Sequence, residues 1–392
     1  MKKHLLILTA LVMSMSLFTA CSEDDNDNNN DVQLPVNGSN VSNVSNGSNG
    51  SNGIYVVNSG NINNGIEGSL TYYDYTTASA TQNAFKAVNG RSLGSTPNDA
   101  IVYGTKLYIV VDGENRIEVA DAKTLKSIAA ISTTDLLGAE DGKSPRHILG
   151  ENGYVYVTTY GGCVAAIDTV NYALKKTYVV GSYPEGLTCA NGKIYVANSD
   201  YGMGANASIS VIDIKNGSVE TTSYDAIKNP STLAYVNGAL YVVDGDVYDW
   251  KTWAVISSGG LRKIQGDNAE TVVTAAVAMG SNQLAVSGKN IYCIKDAYTA
   301  PVGVVYNTAT NETTTLALPD LVAANAIAID PITGNLVVLS YSKNSEISEY
   351  TAADYNAPGY ANIYNTQGEK LATFATSVGP TAICIFQGVK YE

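Results

Sequence analysis

One unit recurs along this chain and leaves it few folds to adopt. A Pro-led apolar run, a Gly-containing turn and a second run with Tyr ahead of a strand former appear as PNDAIVYGTKLYIV from Pro97 and PRHILGENGYVYV from Pro145. PEGLTCANGKIYV from Pro184 and PSTLAYVNGALYVV from Pro230 repeat it, and SNQLAVSGKNIYC from Ser281 is a copy without the proline. The tyrosines stand at Tyr55, Tyr108, Tyr156, Tyr195, Tyr241 and Tyr292, with Val337 in the seventh place after the insertion DPITGN. Units of roughly 40 to 50 residues built from short strands and turns have the length of one four-stranded propeller blade.

Within a unit the Pro-led run reads as the innermost strand, the Tyr-bearing run as the second, and a run such as SISVIDIKNG (Ser208–Gly217) as the third. Blades pack on both faces, so near-continuous apolar runs are expected instead of clean alternation. The repeating tyrosines are then packing between blades. The first unit starts at Ile54 with a second strand and has no innermost one, whereas GPTAICIFQG from Gly379 is an innermost strand with nothing after it. Joining the two removes an open sheet edge. The fold expected is all-β: one seven-bladed β-propeller over residues 53–392, closed by a C-terminal strand in the first blade.

Ahead of this domain, Lys2 and Lys3 precede the apolar run Leu5–Leu17, which has the charged start and short apolar middle of a secretory signal and is too short to span a bilayer. The small residues Thr19 and Ala20 before Cys21 resemble a bacterial lipobox, with Phe18 departing from the usual leucine. Residues 1–20 are therefore expected to be a lipoprotein signal and Cys21 the lipidated first residue of the mature chain. Ser22-Glu23-Asp24-Asp25 resembles a surface-export signal; a solvated acidic tail is the alternative. Residues 21–52, dominated by Asn, Ser, Gly and Asp, cannot bury enough apolar surface to order themselves, and read as a flexible tether with a mean reach of roughly 30 Å.

The formal net charge of −13 argues against nucleic acid as a partner, because phosphate neutralisation needs clustered Lys and Arg. Cys163, Cys189, Cys293 and Cys384 stand singly in apolar runs with no C-x-x-C spacing, so buried thiols are expected and no metal or cofactor.

The lipobox-like ending, the acidic run and the P-x-x-[IL]…G-x-[IL]-Y-V units together resemble the YncE-type seven-bladed surface propellers of gut anaerobes. Within that group the chain is similar to the cobalamin-capturing surface lipoproteins of the BtuG type. The resemblance implies a lipid-anchored position on the outer face of the outer membrane and a corrinoid as ligand. It also implies delivery of that corrinoid to a TonB-dependent transporter, with no enzymatic step. Its motifs specify architecture more closely than activity, since one propeller shape hosts many functions.

Two sets of loops share one rim of a propeller: those joining second to third strands, and those leading into the innermost strands. Here they bring Asn58, Tyr160, Asn198, Tyr201, Asp244, Tyr248, Trp250, Trp253, Asp296, Tyr298 and Tyr341 to that rim, and the positions after the strand-leading prolines add Asn98, Asp99, Arg146, His147 and Glu185. A flat apolar ring edged with amides needs aromatic platforms with neutral and acidic hydrogen-bond partners, and these residues supply them. Singly, each is also what any polar exported loop contains. A Tyr- and Trp-bearing rim also suits stacking on sugars, which makes a glycan-binding adhesin the alternative. A hydrolase of the propeller lactonase type would use Glu185 with Asn198 and Asp244 around a divalent ion, or His147 beside Arg146 as an acid–base group. Outside the leader, which holds His4, no second His, activated Ser or glycine-rich phosphate loop supports it, and the domain is expected to bind without catalysis.

Overall fold

In a computed structural model, residues 53–274, 280–331, 333–344 and 353–386 are described; the leader, Cys21 and the tether lie outside these residues. Seven sheets form the ring. The second to seventh blades start on the innermost strands Pro97–Tyr103, Pro145–Glu151, Pro184–Ala190, Pro230–Val236, Leu284–Ser287 and Ala323–Ile329. In the first blade, Pro380–Phe386 lies inside Gly53–Asn58, antiparallel, with Gly53 opposite Phe386 and Asn58 opposite Pro380. The ring is thus closed by the two ends of the domain, as the orphan strands required.

Local chemistry places the strands. The turns Asn152-Gly153, Asn191-Gly192 and Asn237-Gly238 each put two successive residues at positive φ, the geometry whose twist matches a two-residue hairpin and which Asn-Gly adopts most cheaply. At the hairpin between third and fourth strands, Asp74, Asp121, Asp168, Asp213 and Asn307 accept backbone N–H groups two and three residues on, which closes each turn locally.

Packing between blades explains the unbroken apolar runs. In the first strand, Tyr55 and Val57 join a core with Leu107, Ile109 and Val111 of the second blade, while Ile54 and Val56 join one with Val337 and Leu339 of the seventh. Ile383 and Ile385 face the seventh blade, and Cys384 and Phe386 the second. Tyr55, Tyr108, Tyr156, Tyr241 and Tyr292 are buried in such interfaces; Tyr195 is partly exposed and stacks on Tyr235 with centroids 5.6 Å apart. Cys163, Cys293 and Cys384 are buried free thiols, and the Cys189 side chain is buried as well. Two short helices, Ala84–Asn89 and Thr133–Leu137, lie between blades, and the fifth blade carries an extra hairpin of Val247–Tyr248 with Val255–Ser257. No helix among the described residues is long and apolar enough to cross a membrane.

Candidate functional site

The positions after the strand-leading prolines do not line an open rim. Asn98, Asp99, Arg146, His147 and Glu185 are all buried, because the starts of the innermost strands converge on the axis and bond one another there. Asn98 Nδ2 donates to the Arg146 carbonyl (2.7 Å), and Ser231 Oγ to Gln283 Oε1 (2.6 Å). Ser281 spans the axis from the sixth blade, its hydroxyl donating to the Asn98 carbonyl of the second and its N–H to the Thr381 carbonyl of the first. A Cβ on Gly186 would sit 2.4 Å from the Ser231 carbonyl, so only glycine lets these strands approach so closely. The inner strand ends form a buried polar network, and the expectation of exposed ligand contacts at these five positions is corrected accordingly.

One part of that network carries charge. Arg146 Nε donates to Glu185 Oε2 (3.0 Å) and Nη1 to Asp112, which joins carboxylates of the second and fourth blades through a guanidinium of the third. His147 Nδ1 lies 3.2 Å from Asp99 Oδ2, and Nε2 lies 3.4 Å from Glu185 Oε2. Burial, reinforced by the Arg146 charge, holds the imidazole well below the usual histidine range, so His147 is neutral at neutral pH. Burial raises the Glu185 carboxyl, against the lowering effect of Arg146. The Tyr160 hydroxyl donates to Glu185 Oε1, and the Arg146 guanidinium carbon lies 4.7 Å from the centroid of the Tyr160 ring.

From Tyr160 an aromatic stripe runs outward across the rim of the third, fourth and fifth blades. Its ring lies 5.1 Å from Tyr183 and 6.0 Å from Tyr201, and those two rings are 5.0 Å apart. Met203 follows in the same turn as Tyr201, and its Sδ accepts the Trp250 Nε1–H at 2.9 Å; Trp250 packs edge-on against Trp253 at 5.5 Å. Tyr183, Tyr201, Met203 and Trp250 are 38%, 37%, 52% and 41% exposed, and Val255 and Ile256 extend the apolar surface on the extra hairpin. Tyr183, Tyr201 and Trp253 all hold left-handed backbone, with φ of 49°, 55° and 61°. For bulky residues that conformation persists only where surrounding structure enforces it.

Of the other sequence candidates only Tyr248, paired with Val255 on the extra hairpin, borders the stripe. Asn58 and Asn198 end second strands and turn inward, Asn58 Nδ2 to Thr71 Oγ1 (3.1 Å) and Asn198 Nδ2 to Ser210 Oγ (2.9 Å). Asp244 occupies the equivalent place in the fifth blade, buried, holding Arg262 at 2.9 and 3.1 Å and the N–H groups of Lys228 and Asn229. The amide nitrogens of Asn58 and Asn198 and the Asp244 carboxylate bond within their own blades, while Asn58 Oδ1 and Asn198 Oδ1 are buried without a hydrogen-bond partner; among the described residues no group of three or more His, Cys, Asp or Glu could hold a metal ion. Tyr248 bonds Asp246 (3.3 Å) beside the tryptophans. Tyr298 donates to Asn325 (2.9 Å), Tyr341 is buried against Tyr355 (4.9 Å), and Asp296 is exposed on the sixth blade's loop. Sequence reasoning missed Asp112, Tyr183 and Met203. Tyr183 had a signal, since it immediately precedes a strand-leading proline, and Thr96 and Ser144 in the corresponding places are left-handed too.

Fold and site together define a closed seven-bladed β-propeller with a buried polar network at its inner strand ends and an aromatic stripe on one sector of its rim. The chain belongs to the family of the domain of unknown function DUF5074, whose pattern matches residues 52–371. No curated protein matches it. Among solved structures it is similar to the hydrazine synthase of Kuenenia stuttgartiensis, at 18% identity and a TM-score of 0.52, covering 74% of this chain and 89% of that one. BamB from Moraxella catarrhalis aligns at 14% identity and a TM-score of 0.45 over 69% of this chain and 73% of that one. The hydrazine synthase likeness is one of fold alone.

Proposed function

We propose that the protein is a cell-surface lipoprotein that captures cobalamin or a related corrinoid on its aromatic stripe and passes it to an outer-membrane TonB-dependent transporter, making and breaking no bonds itself. The observation that carries this is the stripe: contacting or adjacent rings and a thioether from three blades form one exposed apolar track on a rigid platform. A large flat ring system gains from such a surface by stacking and area burial, and preorganisation spares it the cost of ordering loops. The lipobox-like Cys21 and the following tether support a surface position, and the family resemblance supports the ligand class.

Calorimetric titration of the purified protein with cyanocobalamin tests the assignment. Saturable binding that is lost when Tyr201, Met203 and Trp250 are changed together to Ala supports it. Binding that survives the triple change moves the ligand off the stripe. Absence of binding, with oligosaccharides bound instead, makes the protein a glycan-binding adhesin, for which exposed tyrosine and tryptophan rings are equally suited.

A further inference from the structure

We propose that Arg146 and Glu185 are positioning residues for the tyrosine half of the stripe, acting through Tyr160 and touching no ligand themselves. This rests on the assignment of the stripe as the ligand face. The Tyr160 ring is fixed at two points: its face lies against the Arg146 guanidinium at 4.7 Å, and its hydroxyl donates to Glu185 Oε1. Glu185 is itself held by Arg146 Nε at 3.0 Å, and Asp112 holds a second guanidinium nitrogen. Three blades therefore meet beneath one aromatic side chain, and all the charge involved is buried or nearly so. A planar guanidinium can bond two carboxylates through separate nitrogens while presenting its face to a ring, which a lysine ammonium cannot do.

What Tyr160 supports is a pair of half-exposed rings. Tyr183 and Tyr201 rest against its ring from two different loops, at 5.1 and 6.0 Å, and both pay the backbone cost of a positive φ. Their backbones are held by Ser199, whose N–H and hydroxyl donate to the Tyr183 carbonyl and whose hydroxyl accepts the Tyr201 N–H, so what the Tyr160 ring fixes is the placing of the two side chains. The sequence expectation that Arg146 and Glu185 contact ligand is thereby replaced by an indirect role. Their side chains are 1% and 4% exposed, and the groups they face are protein groups: Asp112, Tyr160 and the His147–Asp99 pair.

The test compares Tyr160→Phe, Arg146→Lys and Glu185→Gln with the wild type, by crystal structures without ligand and by cyanocobalamin dissociation rates. In Tyr160→Phe and Arg146→Lys, the Tyr183 and Tyr201 rings should leave their wild-type positions. Dissociation should quicken about tenfold, the scale of one re-mobilised aromatic side chain. Glu185→Gln keeps an acceptor oxygen for the Tyr160 hydroxyl and should rescue most of the affinity. A merely structural role would lower the melting temperature of all three variants and leave dissociation well below that temperature unchanged. Tyr183 and Tyr201 rings that stay in place in folded Tyr160→Phe overturn the proposal. If the wild type fails to bind cyanocobalamin, the corrinoid assignment falls by itself, and the ring positions in the ligand-free variants still decide whether Arg146 and Glu185 position the tyrosines.

Discussion

Removing everything after Gly379 takes away the strand that closes the ring, and the structure sets the size of the effect. Ile383, Ile385 and Phe386 are 5%, 3% and 1% exposed, and full burial of such side chains is worth about 1.5 to 3 kcal/mol each. The same strand supplies the Thr381 carbonyl to Ser281 N–H (2.8 Å), the Pro380 carbonyl to Asn325 Nδ2 (2.8 Å) and the Ile383 N–H to Asn282 Oδ1 (2.6 Å). Each buried group left without its partner costs roughly 1 to 3 kcal/mol. The total is on the order of 10 kcal/mol, comparable to the whole stability of a typical domain. The truncated chain should show no cooperative urea transition by circular dichroism. A graded companion is the double-mutant cycle between Ile54 and Ile385, which lie opposite each other across the closing pair. Truncating both to Ala should reveal a coupling of about 0.5 to 3 kcal/mol, whereas Ile385 paired with Ile294 of the sixth blade should be additive. A truncated chain that melts at the wild-type temperature, or an additive Ile54–Ile385 pair, would refute closure by the chain ends.

Three further outcomes are expected. His147 is held far below the ordinary imidazole range by burial, so the stability it contributes is complete above about pH 6.5 and declines as pH falls towards its folded value, by at most about 1.4 kcal/mol per pH unit. Glu185, raised by burial, works in the opposite direction below its own folded value, so the contribution of His147 is read as the difference in urea stability between wild type and His147→Gln at pH 7 and pH 5. Asp244→Ala strands the buried Arg262 and should cost about 3 to 5 kcal/mol in urea unfolding, while Asp244→Asn should leave cyanocobalamin affinity within about twofold of wild type. Cys21→Ser should abolish incorporation of labelled palmitate and release soluble protein, and unchanged incorporation would exclude lipidation at Cys21.

The sequence by itself determined the blades. Strand order, the Asn-Gly turns and the pairing of Pro380–Phe386 with Gly53–Asn58 are all local or periodic properties, because blade geometry repeats and each hairpin is specified by its own turn residues. It also brought Tyr160, Tyr201, Trp250 and Trp253 into consideration, since rim loops follow from strand order. The fate of a polar side chain at a strand end was decided only by the tertiary structure. Asn58, Asn198 and Asp244 stand at equivalent places, and what occupies the neighbouring strand turns each inward: Thr71, Ser210 and Arg262. Arg146, His147 and Glu185 read as surface chemistry and proved to be buried, because the starts of the innermost strands bond one another and Ser281 of the sixth blade reaches the Asn98 carbonyl of the second. The stripe too is a tertiary object. Tyr183 precedes one strand, Met203 sits within a loop and Trp250 within the next blade's insertion, and only the packing of the fifth blade beside the fourth brings the three onto one surface.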